Sequence, residues 1–558
     1  MMNTRALRLR PALAGIACLA LAACDAYTDI SATGNAPAQY SHVYLTISQV
    51  WFNASATAGP TSSGWSEFAL STPTTIDLVA LTNGELAQFA DQLKVTPGTY
   101  NQMRLVLADP SATLASSAQG AGALYNDEVD YLDSSGVTHQ VPLGIPNSAE
   151  GIGIPMTLTV ATSTGNGIGT QSSAPASDET TSSAPIATTS AIVDFDATRD
   201  LVPVSLSGTE GFMLVPHPSV YNANAAGTIA GAVALSGVAV SSTTGLPDVQ
   251  VAAESVSSDG SRHVIVKTTM VNSSGGFTLY PLSTASDAPT SYDIVIHGPA
   301  IDTIIIKSVP IGSGAPGATT AELGTITPTS ADSMTVNLST SNPVSPTASS
   351  IGFYQTIPAA GEIPYLIEVR NVDPFSGVFE AAQSISAGSI QYGTFSGAGS
   401  AVALSTVTPS EGAATYHVAA FNSTYGTGPM TTTVTSAGTA TASFTAAAIP
   451  LPAGTTTAAV SGTVTLASPG AYDAGELLLT QNGVVVAVAP LGPYLSGALT
   501  SGTLASDVPA GGANGSIYYA ETWVWNSTDP LDTLNRQPYS GTIDLTSGSA
   551  TGIALALP

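Results

Sequence analysis

The chain has 558 residues, which predicts several domains because one hydrophobic core rarely organises more than about 250 to 300 residues. Only 9% of the residues are charged, and Gly, Ser, Thr, Ala and Val dominate, so strands and turns are favoured over long charged helices. The formal net charge of −27 repels phosphate groups and argues against nucleic acid as a partner. It would suit divalent cations or neutral glycans, or simply keep a Thr-rich surface soluble.

The N-terminus has the pattern of a secretory signal peptide over residues 1–23. Arginines at positions 5, 8 and 10 precede an apolar run that is shorter than the roughly 20 residues needed to span a membrane. The run ends in Leu21-Ala22-Ala23-Cys24, which resembles the bacterial lipobox. The resemblance implies that Cys24 is the lipid attachment site and that the protein is anchored in the bacterial cell envelope, at the inner or outer membrane. The alternative is a cysteine that follows an ordinary cleavage site.

Residues 24–39 lack a clear hydrophobic period and are interpreted as a tether. In HVYLTISQVWF, Val43, Leu45 and Ile47 alternate with polar or aromatic residues, which predicts a half-buried strand. A short helix is predicted within TIDLVALTNGELAQFADQ, with Asn83 as its cap. A second strand follows the turn at Pro97-Gly98, with Met103, Leu105 and Leu107 on one face and Arg104 on the other.

A series of motifs between Tyr40 and Tyr221 resembles the domain of unknown function 4382 family of bacterial envelope lipoproteins. In chain order they are YSHVYLTISQVWF, a hairpin near Trp65, TIDLVALTNG, TPGTYNQMRLVL, SAIVDFDATRDL and GFMLVPHPSV. The family has no assigned chemistry, so the resemblance implies an envelope location and a β domain at 40–225. It also implies that the Ser/Thr-rich segment at about 161–190 is a disordered loop inside this domain.

Two acidic clusters in this region could bind a cation. In AIVDFDATRD the strand period places Asp194 and Asp196 on one face, where they could share Ca²⁺ or pair with Arg104 or Arg199. Ca²⁺ needs six or more oxygen ligands, so an ion pair is the favoured interpretation and the two aspartates are weak metal candidates. The run NDEVDYLDSSG is interpreted as a solvated hairpin tip.

Residues 226–327 resemble the carboxypeptidase regulatory-like β-sandwich. The resemblance rests on Gly245, Pro247, Gly276, Phe277 and Tyr292, and it implies turn glycines, core aromatics and a structural or binding role. Strands near 363–370 and 415–421 predict a third sandwich at 328–455. The segment AVSGTVTL restarts the pattern of GTIAG and predicts a fourth sandwich at 456–558.

The fourth sandwich contains the most suggestive surface. In SIYYAETWVWNS, alternation places Tyr519, Glu521, Trp523 and Trp525 on one face of a strand. If that face is outward, it is a stacking platform for glycans, with Glu521 as a hydrogen-bond acceptor; if inward, it is core. Buried tryptophans are more common, so the core interpretation is favoured.

Motifs of known enzymes are missing from the sequence: there is no H-x-x-x-H pair, G-x-S-x-G elbow or phosphate-binding loop. We therefore expect no catalytic residues and no cofactor. The predicted fold is all-β, with several Ig-like or transthyretin-like sandwiches in series behind a lipoprotein signal peptide. The predicted function is non-enzymatic binding or scaffolding in the envelope, with the membrane, a glycan or envelope proteins as partners. The alternatives are a carbohydrate-binding or adhesive surface lipoprotein, a structural spacer and, least favoured, a hydrolase with an unrecognised site.

Overall fold

A computed structural model of the chain describes residues 26–133, 135–160, 189–285, 288–314, 321–340, 349–375, 383–398, 400–422, 430–435, 439–444, 455–511 and 515–558. The signal peptide, Cys24 and most of the predicted loop at 161–190 lie outside these residues. The fold is all-β, as predicted. Among the described residues, no helix has the length and apolar character needed to cross a membrane.

The described residues of domain 1 form twelve strands and two short helices. The strands are β1 (Ala26–Asn35), β2 (Tyr40–Asn53), β3 (Ser66–Asp77), β4 (Ala87–Val95), β5 (Gly98–Leu107), β6 (Glu128–Leu132), β7 (Thr138–Gly144), β8 (Ile152–Val160), β9 (Thr189–Asp196), β10 (Leu201–Leu206), β11 (Thr209–Leu214) and β12 (Ser219–Asn222). The helices are α1 (Ser116–Ala121) and α2 (Ala197–Asp200), and 3-10 turns occupy Thr82–Gly84 and Ala223–Ala225. Met103, Leu105 and Leu107 lie in the core with Val43, Leu45 and Ile47, which confirms the alternation predicted for β2 and β5.

Domains 2 and 3 follow along the chain. Domain 2 consists of β13 (Ala226–Val233), β14 (Gln250–Val256), β15 (His263–Met270), β16 (Gly276–Ser283), β17 (Ser291–His297), β18 (Thr303–Pro310), β19 (Gly312–Ser313) and β20 (Ala321–Ile326). Domain 3 consists of β21 (Ser333–Thr340), β22 (Ser349–Gln355), β23 (Tyr365–Asn371), β24 (Gln383–Ser386), β25 (Ile390–Thr394), β26 (Ser405–Val407), β27 (Thr415–Asn422), β28 (Met430–Thr435) and β29 (Thr439–Phe444).

Domain 4 contains β30 (Thr455–Leu466), β31 (Ala474–Gln481), β32 (Val484–Pro490), β33 (Ser501–Gly511), β34 (Ile517–Trp525), β35 (Asn535–Pro538), β36 (Ile543–Asp544) and β37 (Ala550–Leu557). Two one-turn helices, α3 (Gly492–Leu495) and α4 (Pro530–Thr533), lie between its strands. Its core is formed by apolar residues such as Leu477, Leu479, Tyr518 and Val524.

One strand order recurs in all four domains. In domains 2, 3 and 4 the first strand of the domain pairs on one side with the fourth strand, antiparallel to it, and on the other side with the last strand, parallel to it. The three sheets therefore run β16-β13-β20, β24-β21-β29 and β33-β30-β37. The facing sheets run β15-β14-β17-β18, β23-β22-β27-β28 and β32-β31-β34-β35. Domain 1 repeats the order as β4-β1-β9 and β3-β2-β5-β8, with β6, β7, β10 and β11 added. The similarity between GTIAG and AVSGTVTL therefore marks equivalent first strands.

The larger sheet of domain 2 crosses the predicted boundary at residue 327. Strand β18 pairs in parallel with β25 of domain 3, which extends the sheet to six strands. Ile304 and Ile306 face the core of domain 2, whereas Ile305 packs into the core of domain 3. Because the sheet is buried on both faces, β18 carries a continuous apolar run instead of an alternating one.

Two segments of domain 1 differ from the prediction. Residues 26–35 form β1, a central strand between β4 and β9, so the prediction of a tether over 24–39 is wrong here. Ala26, Ile30 and Ala32 are buried on one face of the strand. Because two of these residues are alanines, the sequence shows no clear hydrophobic period here. The helix predicted after Asn83 is instead β4, because pairing with β1 overrides the helical propensity of this segment. Asn83 accepts a hydrogen bond from Thr278 N of domain 2, at 3.1 Å.

The acidic run NDEVDYLDSSG is only partly a hairpin tip. Asp133 occupies the turn between β6 and β7, but Asp127, Glu128 and Asp130 are buried. The Asp127 carboxylate accepts a hydrogen bond from Thr46 N at 2.8 Å. These acids therefore stabilise domain 1 internally and do not form a solvated surface.

Candidate functional site

The predicted glycan-stacking face lies between domains 1 and 4. Trp523 and Trp525 are 1% and 4% exposed, and they pack against apolar residues of β10 and β11, including Val204 and Met213. The other face of β34 lines the core of domain 4, so the predicted alternation is confirmed. The prediction of an exposed glycan-stacking platform is wrong, because domain 1 covers the outward face of this strand.

Glu521 and Tyr519, the two other residues of the predicted glycan-stacking face, also lie against domain 1. The Glu521 carboxylate accepts a hydrogen bond from Asn147 N at 2.7 Å, and burial raises the pKa of Glu521. Tyr519 is half-buried, and its hydroxyl lies beside Gly59 of domain 1. Arg104 crosses the same interface, since its guanidinium donates to Asn482 Oδ1 at 3.0 Å. The whole predicted face is therefore used in packing domains together.

Asp194 and Asp196 contact domain 2. The Asp194 carboxylate pairs with Lys267 Nζ, and both side chains are buried. Asp196 accepts a hydrogen bond from Thr268 Oγ1 at 2.8 Å and caps α2 through Thr198 N. The favoured ion pair is found, but its cation is Lys267 and not Arg104 or Arg199. Within the described parts of the chain, no group of three or more His, Cys, Asp or Glu side chains is placed to hold a metal ion.

A cleft lies where domains 1, 2 and 3 meet, and we call it the three-domain cleft. It consists of a central cavity of about 80 Å³ and two neighbouring pockets of about 160 Å³ and 150 Å³. The central cavity and the larger pocket share Arg199, Ile265 and Val369 as wall residues. The two pockets share Arg262 and Tyr354, so the three spaces adjoin one another through common wall residues.

The central cavity is lined by polar groups that are held in place by their neighbours. His297 Nε2 lies 3.1 Å from Gln250 Oε1, and burial together with Arg370 lowers the pKa of His297 to about 3. The imidazole is therefore neutral at pH 7. Burial raises the pKa of Asp248, and the guanidinium of Arg370 opposes that shift. These groups can hydrogen-bond to a ligand, but a histidine with so low a pKa is a weak general base.

The larger pocket, which we call the arginine pocket, has an apolar floor and basic walls. Tyr354, Leu366 and Ala419 lie on the outer face of the β23-β22-β27 sheet, opposite the core residues Phe353, Tyr365 and Val418. Ile265 and Val369 pack against this outer face. Tyr354 lies across Gly352, where a Cβ atom would come within 2.6 Å of its ring.

The basic walls of the arginine pocket come from structured turns. Arg199 lies in α2, whose Asp196 cap accepts from Thr198 N at 3.2 Å. Arg262 ends the turn between β14 and β15, where its backbone N donates to Ser257 Oγ at 3.2 Å. His217 Nδ1 lies 3.4 Å from Asp200 Oδ1. The backbone segments that carry the basic side chains are therefore held in place, and they belong to two different domains.

None of the cleft residues was predicted as a site residue from the sequence. A signal was nevertheless present, because the chain contains only eleven Lys and Arg residues, and three of these belong to the predicted signal peptide. Three of the remaining eight, Arg199, Arg262 and Arg370, line the three-domain cleft. Their convergence depends on the packing of three domains, which the local pattern does not contain.

Comparison with protein families assigns domain 1. Residues 28–216 match the family described as Domain of unknown function (DUF4382). This DUF4382 region begins within β1, which agrees with the placement of that strand inside the domain. No curated protein matches the sequence of the chain.

Solved structures show only distant similarity. A leucine-rich repeat protein from Bacteroides thetaiotaomicron aligns over 40% of this chain at 9% identity and a TM-score of 0.13, and the chain covers 26% of its length. The TIE protein of Bacillus anthracis aligns over 96% of this chain and 72% of its own, at 9% identity and a TM-score of 0.14. The major pilin of Corynebacterium diphtheriae aligns over 75% of this chain and 99% of its own, at 9% identity and a TM-score of 0.13.

Proposed function

We propose that this chain is a lipid-anchored protein of the bacterial cell envelope with a non-enzymatic binding role, and that its ligand occupies the three-domain cleft. The anchor is Cys24, on the evidence of the lipobox-like sequence. The observation that carries the binding role is the cleft itself, because ligand sites occur preferentially where domains meet. A structural spacer has no need for a concave site with convergent polar groups.

The contacts between domains support a preformed site. Domain 3 donates from Asn371 Nδ2 to the carbonyl of Arg199 at 2.8 Å, which fixes α2 against β23. Domains 2 and 3 are joined by the Tyr365 hydroxyl, which donates to Asp293 at 2.8 Å, and by stacking of His263 on Tyr365 at 3.9 Å. A ligand that enters a rigid cleft loses less free energy to the ordering of its receptor.

We also infer that domain 2 is a carboxypeptidase regulatory-like sandwich. Gly245 adopts a φ of 68° in a turn, and Phe277 and Tyr292 are buried in the core, as the resemblance implies. Gly276 starts β16, whereas the left-handed turn before it is made by Gly275, with a φ of 90°. The module supports a binding or spacing role only weakly, because one fold serves many functions.

The binding role is tested by filling the cleft. Ser384 is an exposed residue of the cleft wall, and Ser384→Trp would occupy the space without disturbing a buried contact. Ser405→Trp, on exposed β26 away from the cleft, is the matched control. We expect a small-molecule extract of the bacterial envelope to raise the Tm of the wild type and of Ser405→Trp, but not of Ser384→Trp. Equal shifts in all three proteins, or none in the wild type, would refute the cleft as the binding site.

The anchor is tested separately. In cells fed a labelled fatty acid, the wild-type chain should become labelled and Cys24→Ser should not. Labelling that persists in the variant would disprove Cys24 as the lipid site, and this result does not depend on whether a ligand binds the cleft.

A further inference from the structure

We propose that the arginine pocket binds a small amphipathic organic acid, with its acid group between Arg199 and Arg262 and its apolar body against Tyr354 and Leu366. This inference rests on the proposed binding function of the three-domain cleft and assigns the chemical class of its ligand.

Most basic side chains of the described domains have partners of their own. Lys267, Lys307 and Arg536 form ion pairs with Asp194, Glu362 and Asp109, and Arg370 pairs with Glu368. Arg104 donates to backbone carbonyls and to Asn482. By contrast, no carboxylate of the described residues lies within ion-pair distance of the guanidinium groups of Arg199 and Arg262. In a chain with a net charge of −27, two such arginines in one pocket are an unusual local excess of positive charge.

Two acids near the arginine pocket, Asp200 and Asp259, accept hydrogen bonds from their own turns, and Asp200 also lies 3.4 Å from His217 Nδ1. Asp200 accepts hydrogen bonds from the backbone N of His217 and of Asp196, at 3.0 Å and 3.3 Å. Asp259 accepts from Ser257 and Ser261 in an exposed turn, and these hydrogen bonds, with a smaller contribution from the charge of Arg262, lower the pKa of Asp259 to about 2. No carboxylate lines the pocket. An anion that enters it meets arginine and histidine side chains without a competing carboxylate in the walls.

The apolar surface of the pocket defines the rest of the ligand. The pocket is lined by Val264, Ile265, Leu366 and Val369 together with Tyr354, so the part of the ligand that contacts these side chains must be apolar. Arginine recognises a planar carboxylate through two parallel N–H···O bonds, which a neutral group of the same shape cannot match. The combination selects an acid that carries an apolar body, and it disfavours both a bare inorganic anion and a neutral hydrocarbon.

The volume of the pocket limits the size of that body. A cavity of about 150 Å³ lined by apolar side chains accepts one benzene ring. The arginine pocket, at about 160 Å³, therefore holds one ring or a short acyl chain. The adjoining outer pocket, of about 150 Å³, gives room for a second group of similar size beside His417.

The test compares an acid with its neutral isostere. We would titrate the protein from residue 25 onward with 4-fluorobenzoate and with 4-fluorobenzamide, and follow ¹⁹F line broadening. The expected result is that the acid binds at least about tenfold more tightly than the amide, because hydrogen bonds to a charged carboxylate are stronger than those to a neutral amide. Arg262→Met should remove that preference and leave binding of the amide unchanged.

Two further variants make the outcome specific. Lys94→Met removes one positive charge from an exposed site on β4 and should leave both affinities unchanged. Arg262→Lys keeps the charge but loses the planar fork, so it should retain only part of the preference. Near-ultraviolet circular dichroism would verify that each variant is folded.

The outcomes separate this inference from the proposed function. Equal affinity for acid and amide, no effect of Arg262→Met, or no binding of the acid by the wild type would each overturn the assignment of an amphipathic acid. If the envelope extract still stabilises the wild type but not Ser384→Trp, the binding role survives and only the ligand class fails. If the extract has no effect while the acid binds selectively, the pocket is confirmed and the proposed biological role fails.

Discussion

Removal of the Trp523 indole should separate domain 4 from domain 1 without unfolding either domain. Trp523 is almost fully buried, and its ring packs edge-on against Phe375 of domain 3 with centroids 5.7 Å apart. It belongs to the apolar cluster shared with β10 and β11, whereas the core of domain 4 lies on the opposite face of β34. Trp523→Ala therefore removes an interface contact and leaves the domain 4 core intact.

Two general relations for buried aromatic side chains give the expected loss of interface free energy. A buried aromatic side chain covers about 150 to 250 Å², which at about 25 cal/mol per Å² corresponds to about 4 to 6 kcal/mol. Measured truncations of buried aromatic residues to alanine cost about 3 to 5 kcal/mol. Gly144→Ala attacks the same contact from domain 1, because its Cβ would lie 2.0 Å from Trp523 Cη2. Since both changes act on one contact, the loss in the double variant should be well below the sum of the single losses.

Calorimetry and hydrogen exchange measure the effect. The wild type should show coupled unfolding of domains 1 and 4, and Trp523→Ala should split off a lower transition with faster exchange in β10, β11 and β34. Ile517→Ala is the control, because Ile517 lies on the same strand but is 51% exposed. An unchanged Tm and unchanged exchange in Trp523→Ala, or full additivity with Gly144→Ala, would refute the interface argument.

Three further predictions concern buried charge. Burial and the nearby Asp373 raise the pKa of Glu476 to about 8, so between about pH 4.5 and 8 the folded state keeps a proton that the unfolded state releases. The free energy of unfolding should therefore fall across this pH range. In urea titrations Glu476→Gln should show a smaller fall, and an equal fall would mean that Glu476 is not the responsible group. Lys267→Met should cost about 3 to 5 kcal/mol in urea unfolding because it leaves Asp194 unpaired, and Lys267→Met with Asp194→Leu should recover part of the loss. Arg104→Lys should lower the Tm, since lysine cannot reproduce the fork that contacts three backbone carbonyls and Asn482. An unchanged Tm would contradict that role.

The sequence predicts strands well where large residues alternate. The alternation of Val43, Leu45 and Ile47, and that of the residues in β34, corresponds to faces of real strands. The hydrophobic period does not reveal a strand where small or polar residues occupy buried positions. This is the case in β1, where Ala26, Thr28 and Ala32 are all buried. The period also fails where pairing overrides propensity, as in β4. A local pattern reports which residues share a face, but not what covers that face.

The contacts of each outer face explain why the sequence does not predict the residues of the three-domain cleft. The alternation correctly places Asp194 and Asp196 on one strand face, yet Lys267, the cationic partner of Asp194, lies 73 positions away in another domain. The same holds for Arg199 and Arg262, which face one pocket from two domains. Because the wall residues of the cleft are distant along the chain, no spacing motif can encode them.

The packing of the repeated sandwiches explains why a pocket forms between them. Each sandwich buries one face of each sheet and leaves the other outward, so large apolar residues on an outward face require a cover. On β34 that cover is complete, since domain 1 closes over Trp523 and Trp525. On the outer face of β22 and β23 the cover is incomplete, because domains 1 and 2 bury Tyr354 and Leu366 yet leave a pocket lined by Arg199 and Arg262. Apolar residues on an outward sheet face are therefore covered by neighbouring domains at two places in the chain. At β34 the cover forms a closed contact between domains, and at β22 and β23 it leaves an open, positively charged pocket, which is the candidate binding site.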